Sequence, residues 1–301
     1  MTTPAIRLVA MDLDGTLLDR QYRISPANHA AVQDLRAAGV AVVPATGRRF
    51  GAGAAYGLSL GLRGPMIFQN GALAKNLGDR VPLFWEAMSP ALVRHVVSVG
   101  RRFGILPLLI GDPFGPGTIL IEEAPHQYGR LGRYLESSWT DVRMVGSLGA
   151  VRRGDILQVS FCGNVQPLRE LAGILQRETG ADASITCTEY PERDLSLLDL
   201  MHAGVGKGAA LARLARLLGV TPEAAAAFGD HFNDRDMLAS LGQPLGMGNA
   251  AARQRAEFPQ VVPGCDAGGV AWGIWTHILP RPDRLQEWDL NVERPTSNAE
   301  L

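Results

Sequence analysis

Ile6-Arg7-Leu8-Val9-Ala10-Met11 runs directly into Asp12-Leu13-Asp14-Gly15-Thr16, and this junction decides the fold. The run is short, largely apolar and without alternation. Such a segment suits a strand buried on both faces, as in a parallel sheet. Ligands of open parallel sheets bind beyond the carboxyl ends of strands, where Asp12 and Asp14 stand. Two carboxylates two residues apart point the same way on an extended backbone. One can attack phosphorus while the other handles protons. Gly15 permits the sharp turn that closes the loop. Taken alone, the motif also fits a plain Asp/Gly turn. A calcium loop starting at Asp12 fits less well, because its twelfth position is Arg23 rather than Glu.

Outward from this junction the pattern repeats. Ser25-Pro26 opens a helix, with Ser as N-cap and Pro in the first turn, and Gly39 stops it. Val40 to Val43 reads as the next buried strand, which makes a right-handed strand–helix–strand unit. A helix over 51–60 and a third strand over 66–68 follow. From about Trp85 to Tyr190 the texture changes. We expect helices over 91–103, 127–135 and 167–179, and strands over 105–110, 118–122, 156–162 and 183–189. Gly111 to Gly117, rich in Pro and Gly, reads as a loop. This is the pattern of an inserted α+β region with an open antiparallel sheet. The parallel pattern is then expected to resume, with strands over 195–201, 224–228, 243–247 and 261–263 and helices over 207–218 and 234–241. The tail from about Pro280 shows no apolar face and is expected to be loosely held.

Composition narrows the classes. The 301 residues are 46% apolar and 20% charged, with a net charge of −1. That describes a globular chain with a full core and no basic footprint for nucleic acid or an anionic membrane. The apolar N-terminal run ends too soon for a signal peptide or a membrane span, so cytoplasmic location is the default expectation. Cys162, Cys187 and Cys265 are far apart and odd in number, which fits buried free thiols rather than a disulfide framework or a zinc site.

Three further motifs stand at predicted strand ends. Thr46-Gly47-Arg48 offers a hydroxyl and a free N–H where a phosphate could sit, or simply caps a helix. Lys207, in Gly204-Val205-Gly206-Lys207-Gly208, begins a helix, where the positive end of the dipole repels it unless an anion lies between. A P-loop is not formed, since Gly208 follows the Lys and Met201 stands six residues before it. Gly229-Asp230-His231-Phe232-Asn233-Asp234 adds acid. Clustered carboxylates repel unless a cation sits among them, and oxygen ligands beside phosphate favour Mg²⁺. His231 is expected to face solvent or its own loop.

Together these motifs resemble the haloacid dehalogenase superfamily, and more narrowly its Cof-type, subclass IIB, sugar-phosphatase-like branch. Asn70-Gly71-Ala72 and Gly246-Met247-Gly248-Asn249-Ala250 look like that branch as well. Asp199-Leu200-Met201-His202 departs from it, because a Glu-Ile-type strand and a Pro would be expected there; the departure touches the strand edge rather than the chemistry. The resemblance implies an α/β fold: a Rossmann-like, doubly wound parallel core (1–84 and 191–280) with an inserted α+β cap (85–190) and a tail (281–301). Hinges are expected near Pro82–Glu86 and Tyr190–Asp194. It implies that Asp12 attacks phosphorus to give an aspartyl phosphate, and that Asp14 protonates the leaving alcohol and then deprotonates water. Mg²⁺ would be held by Asp12, the Asp14 backbone carbonyl and Asp230. Thr46, Gly47, Lys207 and Asn233 would hold the phosphoryl oxygens, with Asp234, Thr16, Arg48 and Asn70 in support. The implied substrate is a small phosphorylated metabolite, a sugar phosphate or a related monoester. A phosphomutase uses the same intermediate, and a phospho-ligand sensor would lack the two Asp residues. A signalling receiver would be shorter and would have no cap. Neither the substrate's identity nor the oligomeric state is written in the sequence.

Overall fold

The computed structural model describes residues 5–291. The described residues form two compact units, one within 1–42, 220–231 and 241–291 and the other of residues 43–219 and 232–240.

The first unit is built on a parallel sheet. Its strand order is Val261–Val262, Gln243–Met247, Ala225–Gly229, Leu8–Met11, Ala41–Pro44, and the last of these runs on into the second unit. Leu8 pairs with Ala225 and Met11 with Phe228, in parallel. Leu8, Val9, Ala10 and Met11 are all fully buried, as are Ala225 to Phe228. A strand covered on both faces has no use for alternation, which is why the sequence shows none. The helix Pro26–Ala37 begins as expected, with Ser25 Oγ accepting from Asn28 N at 3.1 Å. Gly39 (φ +76°) follows its end.

The expectation of a loose tail is corrected for the described residues. Pro282–Asn291 is a helix. Trp288 Nε1 donates to Ala267 O at 3.1 Å, and Arg281 lies 3.6 Å from Asp34. Two aromatic and ionic anchors are easily missed in a stretch without an apolar stripe. Residues 292–301 lie outside the described residues.

The second unit contains two sheets. Pro65–Phe68, Leu73–Asn76 and Pro82–Trp85 form a small antiparallel sheet, so part of the expected hinge at 82–86 is a paired strand. The larger sheet has the order Ala183–Tyr190, Leu195–His202, Ile156–Gly163, Leu108–Gly111, Thr118–Ile121, Val142–Met144. Its pairs are antiparallel except Thr118–Ile121 with Val142–Met144. Leu195–His202 therefore does not resume the parallel sheet. It pairs with Ala183–Tyr190 over eight residues, from Tyr190 opposite Leu195 to Ala183 opposite His202. The segment 190–194, expected as a hinge, holds the turn of this hairpin, with Asp194 in the left-handed region (φ 43°).

Period-two alternation splits the larger sheet between two apolar clusters. Leu109, Leu120, Val159 and Phe161 face one cluster, together with Val96 and Val97 of the helix Pro90–Arg102 and Leu168 and Leu171 of the helix Val165–Thr179. Leu108, Ile110, Ile119 and Ile121 face another with Tyr128 and Leu135. The helix expected over 127–135 is two pieces, a 3₁₀ segment Pro125–Leu131 and a helix Gly132–Ser137, because Gly129 leaves helical geometry (φ 53°). Of the three thiols, Cys265 is buried while Cys162 and Cys187 are half-buried, and all three are free.

Candidate active site

In the first unit the strand Leu8–Met11 gives way to a tight loop. Asp12 N still donates to Phe228 O at 3.0 Å, after which Leu17 N returns to Asp12 O (3.2 Å) and Leu18 N to Leu13 O (2.8 Å). Asp12 is buried and Asp14 half-buried. Gly15 is required twice over. Its φ is +83°, and a Cβ there would lie 2.3 Å from Asp230 Oδ2. Asp230 follows the neighbouring strand and is held by Thr16 Oγ1 (3.0 Å) and Asn249 Nδ2 (3.3 Å). Asn249 Nδ2 also donates to Gly15 O at 2.8 Å, while its Oδ1 accepts from Cys265 N at 2.8 Å. The Gly246-to-Ala250 motif thus supplies a clamp for both acidic loops, a role not read from the sequence.

Asp12 and Asp230 each offer a carboxylate oxygen, and these atoms lie within 4.8 Å of one another. Charges this close repel strongly in the absence of a cation or a proton. The donors are all oxygens and one carboxylate is already oriented by neutral hydrogen bonds, which fits a hard divalent cation. Asn28, also unread in the sequence, fixes the loop from below. Its Nδ2 donates to Leu17 O (3.0 Å) and its Oδ1 accepts from Ala271 N (3.0 Å), fully inside the core.

The second unit carries the remaining candidates. Thr46 N donates to Ile67 O at 2.9 Å, and Thr46 Oγ1 accepts from Arg48 N at 3.1 Å. The following helix starts only at Phe50 and has no side-chain cap, so Thr46 folds its own turn and does not cap a helix. Arg48 lies over the Tyr56 ring, 5.0 Å from its centroid. Asn70 is left-handed (φ 53°), and its N donates to Thr46 O at 3.1 Å. Asn70 Nδ2 donates to Asp199 Oδ2 (3.4 Å) and Asn70 Oδ1 accepts from Asn233 Nδ2 (3.1 Å). A Cβ on Gly47 would sit 3.0 Å from Asn70 Oδ1.

Lys207 and Asp234 form an ion pair at 2.7 Å with neither side chain exposed to solvent. The Asp234 carboxylate is thus an anion at the troublesome lysine. Asp236 adds a second, its Oδ2 accepting from Gly208 N at 2.8 Å at the same helix start. The glycines of this loop are packing requirements: a Cβ on Gly206 would lie 2.3 Å from Asp236 Oδ2. Burial pushes the Asp236 carboxyl upward, opposed by the backbone donors at Gly208 and Met237.

A pocket of about 520 Å³ opens beside these groups, lined by Asn70, Lys207, Asn233 and Arg235 and, from the strand Ala183–Tyr190, by Ser184 and Thr186. Two more basic residues fasten the larger sheet's loops to this unit. Arg49 pairs with Asp141 at 2.6 Å and donates to Tyr134 OH at 3.0 Å. Lys75, fully buried, donates to Pro113 O and Gly115 O, each at 2.9 Å. Desolvation pushes the Lys75 ammonium below its usual range, against the attraction of Asp112.

Comparison with known proteins bears on the family and the fold. The family model described as haloacid dehalogenase-like hydrolase matches residues 9–274. The HMP-PP phosphatase of Yersinia pestis (strain Pestoides F) is 28% identical over 289 residues, covering 92% of this chain and 99% of the relative. A haloacid dehalogenase-like hydrolase from Bacteroides thetaiotaomicron superposes with a TM-score of 0.75 at 20% identity, over 90% of this chain and 99% of that one. The subclass IIB sugar phosphatase BT4131 superposes with a TM-score of 0.73 at 18% identity, over 90% and 98%. Among the described residues no helix is long and apolar enough to cross a membrane.

Proposed function

Because the chain belongs to the haloacid dehalogenase-like hydrolases, in their Cof-type branch of phosphatases, we propose that it hydrolyses small phosphate monoesters through an aspartyl phosphate on Asp12. The substrate class is a phosphorylated metabolite, a sugar phosphate or a related ester; HMP-PP, named for the Yersinia relative, belongs in the first panel of substrates tested. The observation that carries the reading is the Asp12–Asp230 pair: two strand-end carboxylates within 4.8 Å, one of them oriented by Thr16 and Asn249.

An Asp12 carboxylate oxygen attacks phosphorus, and the bond to the ester oxygen breaks. Asp14 protonates the departing oxygen, so an alcohol leaves. Asp14, now a carboxylate, takes a proton from water as that water's oxygen attacks the phosphoryl group. The bond to Asp12 breaks, and phosphate and the free carboxylate are regenerated. The Thr46 hydroxyl, the Gly47 N–H, the Lys207 ammonium and one N–H of Asn233 hold the phosphoryl oxygens throughout, while Asp234 neutralises and aims Lys207. Asp12, the Asp14 carbonyl and Asp230 would hold Mg²⁺, which supplies charge neutralisation at the phosphoryl group when bound. Residues of the cap, expected over 85–190, would contact the leaving group and exclude water; Ser184 and Thr186 line the pocket beside Lys207.

The test is phosphate release from a panel of phosphorylated metabolites with Mg²⁺ present, for the wild type and for Asp12→Asn. We expect turnover in the wild type and none in the variant. Normal turnover by Asp12→Asn would sink the covalent mechanism. Silence on every ester, including a generic aryl phosphate, would overturn the hydrolase reading.

A further inference from the structure

Asp199 stands inside the strand Leu195–His202 of the six-stranded sheet, yet its neighbours lead to the phosphate-binding candidates. Ser160 Oγ, on the adjacent strand, donates to Asp199 Oδ1 at 2.7 Å, and Gln158 Nε2 in turn donates to Ser160 Oγ at 2.8 Å. From the other side comes Asn70 Nδ2, at 3.4 Å from Asp199 Oδ2. Side-chain donors on two different segments converge on one carboxylate.

An amide has two ends of similar shape and opposite polarity, and packing alone does not choose between them. Here a carboxylate makes the choice. Facing Asp199, Asn70 must present its NH₂, which turns its Oδ1 towards Asn233. Asn233 must then present its own NH₂, as it does at 3.1 Å. One N–H of Asn233 is used in this way and one remains for a ligand. Asn233 Oδ1 is buried and accepts no hydrogen bond in this arrangement. Reversing Asn70 would reverse Asn233 and put this acceptor oxygen where the donor now stands. Both asparagines line the pocket that holds Lys207.

We propose that Asp199 is a positioning residue for substrate phosphate: by accepting from Asn70 it fixes the polarity of the Asn70 and Asn233 amides, so that Asn233 offers an N–H and not a carbonyl. The proposal rests on the phosphatase reading and names a residue beyond it. It also revises the expectation from sequence that the departure at Asp199 touches only a strand edge.

The test is a double-mutant cycle on the full chain at pH 8, scoring kcat, KM and inhibition by inorganic phosphate. Asn70→Asp sets two carboxylates face to face and should raise KM and the phosphate inhibition constant by about tenfold or more. Asp199→Asn/Asn70→Asp restores a donor opposite an acceptor, and the carboxylate introduced at position 70 still accepts from Asn233. The double variant should recover most of that loss in KM, with kcat changing less than KM. Asp199→Leu, which cannot accept, should raise KM without a matching fall in thermal stability. If the effects of the two substitutions simply multiply, or if Asp199→Leu loses KM only in step with folding, the proposal fails. A wild type active on phosphate esters with no coupling in the cycle overturns this inference alone, whereas an inactive wild type overturns the phosphatase reading beneath it.

Discussion

In the parallel sheet the polar groups that matter come after the strands. Leu8–Met11 leads to Asp12, Ala225–Gly229 to Asp230, and Gln243–Met247 to the loop that carries Asn249. In the six-stranded sheet they stand within the strands: Ser160 in Ile156–Gly163, Asp199 in Leu195–His202, Ser184 and Thr186 in Ala183–Tyr190. The two designs fail differently. A loop residue past a strand end is placed by its turn and by clamps from other loops, as Asp230 is by Thr16 and Asn249. A polar residue within a strand is placed by register, and a slip of one residue would send it to the other face. The first design keeps a polar side chain at a fixed depth. The second lets alternate positions of one strand serve the apolar cluster and a polar network together.

The largest effect should come from the buried ion pair of the second unit. Lys207→Met leaves Asp234 charged and without its cation at zero exposure, a loss of about 3–5 kcal/mol. Urea denaturation measures it. Lys207→Met/Asp234→Leu should regain stability without regaining turnover. A single variant as stable as the wild type would mean that the pair is not held as described.

A smaller effect tests the strand-end design. Asn28→Ala strands Leu17 O and Ala271 N inside the core, worth about 1–3 kcal/mol. Because Asn28 braces the loop of Asp12, kcat should fall as well, measured on protein shown to be folded by circular dichroism. A stability loss with unchanged kcat would show that the turn geometry alone holds Asp12.

The smallest effect is one of pH. Burial raises the Asp199 carboxyl above its usual value, against the bonds from Ser160, Gln158 and Asn70 that lower it. An acid raised in the folded state holds its proton longer there than in the unfolded chain. Stability from this group is therefore full below the unfolded value, about pH 4, and declines as pH rises through the folded one. Asp199→Asn removes the decline. The variant's stability relative to wild type should rise from pH 4 to pH 8 in parallel denaturation curves, and a constant gap would contradict it. Together with the KM measurements, a variant that gains stability while losing phosphate affinity would separate placing a ligand from holding a fold.

Much of the first design is legible in the sequence because buried parallel strands announce themselves as apolar runs and a polar motif follows each. Ser25-Pro26 and Gly39 bound a helix for reasons visible in the residues themselves. The second design is legible as strands but not as a sheet. Leu195–His202 reads as part of the parallel sheet because an apolar run carries no record of its partner. Pro191-Glu192-Arg193-Asp194 is a turn either way; it reads as a link between domains, and it closes a hairpin. The strands Leu73–Asn76 and Pro82–Trp85 escape a sequence reading because Lys75 sits among apolar residues and is buried only by virtue of distant carbonyls at Pro113 and Gly115. Asn28, Asn249 and Asp199 share that property. Each acts through a partner remote in sequence, and nothing local distinguishes it from a surface polar residue.

The absent Cβ of Gly15 has a consequence for how the protein is made. The space it leaves is filled by the Asp230 carboxylate, and the strand before Asp230 pairs residue 225 with residue 8. During synthesis the loop of Asp12 emerges before its partner and waits while about two hundred residues are added, on the order of ten to forty seconds. The proposed nucleophile thus leaves the ribosome well before the carboxylate that completes its surroundings. Nascent chains halted before residue 230 should therefore contain Asp12 and be catalytically silent.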